Sequence, residues 1–161
     1  MVVKSKIKTK VIDHGFNAIL RELKKLEYKP YVKIGYPAEK ASTNKDHGES
    51  DFVTVLEVAI WSEFGTVHMP ERSFIRASFD QNRKKYEKLN KELLVKIYSG
   101  KMTVEKALDI LGFTIENDIK TFLTTNQVEP ASFRAIAEGG NTLVDTAQLL
   151  NSITFIRVMK S

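Results

Sequence analysis

The residues with the most obvious chemical capacity lie in the run WSEFGTVHMPERSFIR, at positions 61–76. Glu63 and His68 could take part in acid–base chemistry or bind a metal, with His14 and His47 as further ligands from elsewhere in the chain. A helical zinc site needs two histidines four residues apart on one face, and no two histidines here have that spacing. The pattern argues against a metal site, and we expect neither a metal nor a cofactor.

Nucleophilic and nucleotide-dependent chemistry also lack a motif. Ser62, Ser73 and Ser152 do not lie in a nucleophile elbow, and the sequence has neither a P-loop nor a GxGxxG run. The chain has no cysteine, which excludes thiolate catalysis and disulfides. Isolated serines and histidines are usually solvated side chains or helix caps. We therefore expect a protein that is not an enzyme.

The composition is that of an ordinary globular protein. The 161 residues are 42% hydrophobic and 28% charged, which predicts one domain over 1–161. No run reaches the roughly 18 apolar residues that a membrane span needs, and the first residues, MVVKSKIKTK, lack the apolar core of a signal peptide. We expect a protein that is neither exported nor bound to a membrane.

The net charge of +5 is unevenly distributed. Residues 1–40 carry ten Lys or Arg against four Asp or Glu, and residues 82–101 carry seven against two, whereas the remaining stretches are net acidic. Such an uneven distribution of charge suits docking between copies of one protein or contact with nucleic acid. The stretch NRKKYEKLNKELLVK could neutralise phosphates, although Glu87 and Glu92 weaken that interpretation. A basic nucleic-acid-binding module is therefore the alternative function.

Apolar periodicity predicts an α+β fold, in which a small antiparallel β-sheet packs against two long α-helices. The two long helices should form an antiparallel pair, and two long loops, at 37–52 and 125–141, are expected to be mobile. The predicted elements are an edge strand at 3–12, a helix from the N-cap Asp13 to Glu27, a strand in YVKIGYP ended by Pro37, a helix over 52–64, long helices over 73–98 and from Thr103 to about 122, and a strand over 153–158.

The segment 52–64 is predicted to be a helix that contributes to the core, although its β-branched residues leave a strand as the alternative. Gly65 is placed as a helix C-cap, where a left-handed backbone is easily adopted by glycine. The predicted apolar face of this helix consists of Val55, Leu56, Ala59, Ile60 and Phe64.

Arg72 and Arg76 lie where the first long helix begins, and the positive end of a helix dipole gains nothing from cations. Arginine forms bidentate pairs with carboxylates at interfaces. Glu63 or Glu71 could supply the carboxylate within the chain, and a neighbouring copy could supply it between chains. The sequence leaves the two alternatives open.

Two segments of this sequence resemble signatures of tailed-bacteriophage tail-completion and virion-morphogenesis proteins. The first is EFGT, followed closely by a proline, an arginine, a phenylalanine and a second arginine, and the second is LVDTAQLLNSITFIRV. The sequence has Ser73 where the family often has proline, and serine is a good N-cap for the long helix; it has Ala147 where glycine is usual. The residues that carry the resemblance are Glu63, Phe64, Gly65, Thr66, Pro70, Arg72, Phe74 and Arg76 in the first segment, and Asp145, Thr146, Leu149 and Ser152 in the second.

The resemblance implies a structural virion protein without catalytic activity, assembled in the host cytoplasm. Such proteins form a ring, commonly sixfold, at the junction between the capsid connector and the tail. The implied partners are further copies of the chain, the connector or head-closure protein, and the tail-tube or tail-terminator protein, with nonspecific contact to DNA in the lumen. The residues of the first segment would then form a structural corner between helices, with Phe64 and Phe74 in the core, or a subunit interface.

Overall fold

The computed structural model describes residues 13, 15–37, 44–45, 53–68, 71–125, 147 and 149–159. Helical and extended elements are both present, and residues 149–152 are also helical. The elements are α1 (Phe16–Glu27), β1 (Tyr31–Gly35), β2 (Asn44–Lys45), β3 (Val53–Thr54), α2 (Val55–Phe64), α3 (Ile75–Tyr98), α4 (Val104–Thr125) and β4 (Thr154–Val158).

The main sheet joins two strands that are far apart in the sequence. β1 and β4 run antiparallel, with Tyr31 opposite Val158 and Gly35 opposite Thr154. β2 and β3 form a second antiparallel pair. The α+β prediction is confirmed, because a small antiparallel sheet packs against α4, which packs in turn against α3.

α3 and α4 form the antiparallel pair that the periodicity predicts. Gly100 allows the tight turn between them through its positive φ of 69°, and its N–H donates to the carbonyl of Ile97. Thr103 caps α4, since its hydroxyl accepts from the backbone N–H of Lys106. Farther along the pair, Lys85 donates to the Asp118 carboxylate at 2.7 Å.

The described core contains two apolar clusters. One joins α2, α3, α4 and the segment before β4, and the other joins α3 and α4 near their connecting turn. Close approach of β4 to α4 requires Gly112, because a Cβ there would lie 2.4 Å from the Phe155 ring. The first cluster contains Val55, Ala59, Phe74, Tyr86, Ile115, Ile119, Leu149 and Ile153, and the second Leu93, Ile97, Val104 and Ala107.

Some sequence expectations differ from the structure at the ends of elements. Gly15, rather than Asp13, occupies the cap position of α1, although the Asp13 carboxylate accepts from the N–H groups of Gly15 and Asn17. The loop predicted at 37–52 includes β2. The predicted strand at 3–12, the rest of that loop and most of the loop at 125–141 lie outside the described residues.

Candidate structural corner

The first signature segment forms a corner between α2 and α3. α2 begins with a capping box, in which Thr54 and Glu57 satisfy each other's backbone N–H, and it ends at Phe64. Gly65 is the C-cap of α2 as predicted, with a positive φ of 72°, and its N–H donates to the Trp61 carbonyl at 2.8 Å. The backbone N–H of Arg72 donates to the Ser62 carbonyl at 2.8 Å, so the chain lies against α2 again before α3 starts.

Glu63 supplies the missing acceptor at the start of α3. Its side chain is buried, with 5% of the residue exposed. Oε2 accepts from the backbone N–H groups of Phe74 and Ile75 at 2.9 and 3.0 Å, and Oε1 accepts from that of Arg76 at 3.1 Å. The first N–H groups of a helix have no partner within it, and the helix dipole favours an anion there. Glu63 of α2 is therefore the N-terminal cap of α3.

Ser73 differs from its predicted role. The sequence favours Ser73 as the N-cap of the long helix, but the structure places Phe74 at the cap position, without a side-chain cap of its own. The Ser73 hydroxyl instead donates to Glu63 Oε1 at 2.9 Å. The serine helps to hold the carboxylate that does the capping.

Arg76 binds the same carboxylate from the solvent side. Its Nε donates to Glu63 Oε1 at 3.0 Å, and its Nη2 donates to the Glu63 carbonyl at 2.8 Å and to the Glu71 carboxylate at 2.7 Å. The guanidinium also lies 4.8 Å from the centre of the Phe64 ring. The sequence leaves open whether Arg76 pairs with a carboxylate of its own chain or of a neighbouring copy. The structure shows the pair within the chain.

The hydrogen bonds determine the ionisation of Glu63. Burial acts to raise the pKa of its carboxyl, but hydrogen bonds from the backbone of Ile75 and Arg76 and from the side chains of Arg76 and Ser73 outweigh it, so that the pKa is lowered. Burial, followed by the negative charge of Glu63, raises the pKa of Tyr36. Glu63 is thus an anion beside a neutral phenol, and its oxygens already accept five hydrogen bonds.

Such a carboxylate is suited to holding two helices at a fixed angle rather than to taking up a proton. In the part of the chain that the structure describes, no group of three His, Asp or Glu side chains could hold a metal. His68 is exposed, whereas His14 and His47 lie outside the described residues. No helix among those described is both long and apolar enough to span a bilayer.

The second signature segment meets the first in the core. Leu149 is buried in the same apolar cluster as Phe74, which is 1% exposed. Ser152 is also buried, and Ile153 follows it into the cluster. Pro70, Asp145 and Thr146 lie outside the described residues.

One side of α2 carries large apolar side chains on its surface. The sequence places Leu56, Ile60 and Phe64 on the inward face, and this is wrong: they are 38%, 45% and 63% exposed. α2 is apolar nearly all round, so periodicity could not identify the buried row. The buried row is Val55, Ala59 and Glu63, because Glu63 must reach α3. The exposed residues Leu56, Ile60, Trp61 and Phe64 are called here the outer face of α2.

No protein-family model matches the chain, and comparisons with curated proteins and with solved structures likewise gave no match.

Proposed function

We propose that this chain is a structural virion protein that forms a ring at the head–tail junction of a tailed bacteriophage. It would complete the tail or join it to the connector. The proposal rests on the resemblance of the two signature segments and on a role for their residues that is structural rather than catalytic.

The corner between α2 and α3 supports this proposal. Glu63, Ser73 and Arg76 fix the orientation of two helices through a network of hydrogen bonds. A closed ring requires each copy to present its contact surfaces at a constant angle, since a variable angle gives open or irregular assemblies. A rigid corner meets that requirement.

The observation that carries the proposal is the outer face of α2, which adjoins the corner. Soluble monomers seldom present a contiguous group of large apolar side chains without a function. Ile60 and Phe64 lie one helical turn apart on this face, and Arg76 rests on Phe64. An arginine beside exposed aromatic rings is typical of the centre of a protein interface. We assign the outer face as the contact with the next copy in the ring.

The assembly state of the protein tests this proposal. Native mass spectrometry and negative-stain microscopy would be run on the protein alone and mixed with candidate phage connector and tail-tube proteins. Closed rings, commonly of six copies, are expected under at least one condition. A monomer under every condition would contradict the proposal.

A matched pair of variants locates the contact. Ile60→Ser should abolish rings while lowering the melting temperature of the single chain only modestly, because 45% of the residue is exposed there. Val95→Ser, at an exposed apolar position of α3 away from the corner, should leave rings intact. Equal loss of rings in both variants would exclude the outer face of α2 as the subunit contact.

A further inference from the structure

A basic cleft lies on a different part of the molecule, between α1 and the turn that joins α3 to α4. It has a volume of about 690 Å³. Arg21, Lys25, Lys101 and Lys106 line it together with one carboxylate, Glu22, which leaves a net charge of +3 among the charged lining residues. Like charges placed together in a concave region reinforce one another's field.

The floor of this cleft is built by ion pairs that fix α1 against α4. Glu22 Oε2 accepts from the backbone N–H of Val104 at 2.8 Å, and Lys25 donates to Glu22 and Glu105 at 2.7 Å each. Hydrogen bonds to Glu105 and then to Glu22 raise the pKa of Lys25. Lys25 is thus neutralised within the protein, and it holds the cleft in shape.

The other three cations of the cleft have no carboxylate partner among the described residues. Arg21 donates only to the backbone carbonyl of Asn17, and the side chains of Lys101 and Lys106 form no ion pair there. These three come from α1, from the turn and from the first turn of α4. Three unpaired cations on three elements suit a ligand with several spaced negative charges rather than a single anion.

The basic stretch of α3 is a weaker candidate for the same ligand. Arg83 pairs with Glu87 at 3.5 Å, and Lys85 pairs with Asp118 at 2.7 Å. Glu92 adds a further negative charge to this helix. Two cations of α3 are therefore compensated within the chain, whereas Arg21, Lys101 and Lys106 of the cleft form no ion pair with a described carboxylate.

We infer that this cleft binds the phosphate backbone of duplex DNA through Arg21, Lys101 and Lys106. The non-polar part of its lining consists of Ala18, Ile19 and Met102, and it contains no aromatic ring on which a base could stack. Binding is accordingly independent of base sequence. The inference does not depend on ring formation, because a single copy contains the whole cleft.

Fluorescence anisotropy with a 20-bp mixed-sequence duplex, titrated at several NaCl concentrations, tests the inference. Two triple variants with the same change in net charge are compared: Arg21→Gln/Lys101→Gln/Lys106→Gln in the cleft, and Lys84→Gln/Lys88→Gln/Lys91→Gln on α3. The cleft variant should bind at least about tenfold more weakly at low salt, with a log–log salt slope smaller by about three, since each phosphate contact contributes about 0.9. The α3 variant should lose much less affinity.

Three results would overturn the inference. The first is no salt-dependent binding by the unmodified protein, and the second is an equal or greater loss in the α3 variant. The third is equal competition by a poly-glutamate chain of the same total charge, which would indicate an acidic protein partner. Lys101→Arg/Lys106→Arg should retain the binding, which separates loss of charge from damage to the fold. Ring formation is measured separately, so failure of one proposal leaves the other standing.

Discussion

The Glu63 carboxylate, at the end of α2, accepts a 2.9 Å hydrogen bond from the backbone N–H of Phe74, directly before α3. One buried side chain thereby caps a helix to which it does not belong. The end of one helix and the start of the next cannot separate without exposing both the carboxylate and the unpaired N–H groups. The angle between α2 and α3 is therefore tied to the stability of the protein.

Glu63→Gln should reduce the free energy of unfolding by about 2 kcal/mol, because an amide keeps the shape but loses the charge and places an NH₂ group against N–H donors. Urea denaturation measures the change. Glu71→Gln is the matched control, since Glu71 binds the same arginine but is 55% exposed. It should cost less than about 0.5 kcal/mol. Equal losses in the two variants would mean that the cap contributes little.

The stability of the wild-type protein should fall in acid in a way that depends on Glu63. The pKa of this carboxyl is lowered from its ordinary value of 4.5 in the folded state, so the unfolded chain takes up the proton first as the pH falls. The contribution of Glu63 is complete well above pH 4.5 and is lost as the pH falls through the folded pKa. Urea denaturation from pH 7 to pH 3 should show the wild type and Glu63→Gln converging below about pH 4.5. A difference in stability between the two proteins that stays constant from pH 7 to pH 3 would contradict the lowered pKa of Glu63.

Truncation of the two phenylalanines of the corner should reduce stability to very different extents. Phe74→Ala removes a ring that is 1% exposed and should cost about 3 to 5 kcal/mol of stability. Phe64→Ala removes an exposed ring whose described contact is with Arg76, and it should cost under about 1 kcal/mol. Thermal melts of the single chain compare them. A large loss in Phe64→Ala would indicate that its ring is covered within the chain.

Gly112→Ala should destabilise the protein, although alanine is the better helix former. The added Cβ would lie 2.4 Å from the Phe155 ring, and overpacking of about 1 to 3 kcal/mol exceeds the propensity gain of about 1 kcal/mol. We expect a net loss of about 1 kcal/mol in urea denaturation. In a Phe155→Leu background the same change should be neutral or stabilising. The same loss in both backgrounds would show that the ring is not the obstacle.

Much of the fold can be predicted from periodicity and caps. α3, α4 and β1 lie close to where apolar spacing, Gly100, Thr103 and Pro37 place them. The partner of β1 could not be predicted in this way, because local patterns contain no information on the pairing of distant strands. Helix α2 ends at Phe64 as predicted but begins at Val55, because residues 53 and 54 form β3. Its buried face was predicted only in part, since a helix that is apolar all round gives no indication of which side faces the core.

The candidate corner was harder to predict than the elements around it. The sequence identifies Glu63 and Arg76 as a candidate pair, and the structure shows this pair. The capping of α3 by Glu63 could not be predicted, because a cap is normally sought within a few residues of the helix start. One signal was available: Glu63 lies in the last turn of a largely apolar helix and is followed by a turn and two arginines, and a carboxylate has to find a partner when it is buried.

The pairing of β1 with β4 constrains the order of folding. The antiparallel pair of α3 and α4 needs only a short turn to form, whereas pairing of β1 with β4 closes a loop of about 120 residues. Such distant contacts form late, because the chain loses the conformational entropy of loop closure before the contacts begin to stabilise it. Until then β1 has an unpaired edge that another chain could occupy. Refolding yield should therefore fall as protein concentration rises, even when the helices have already formed.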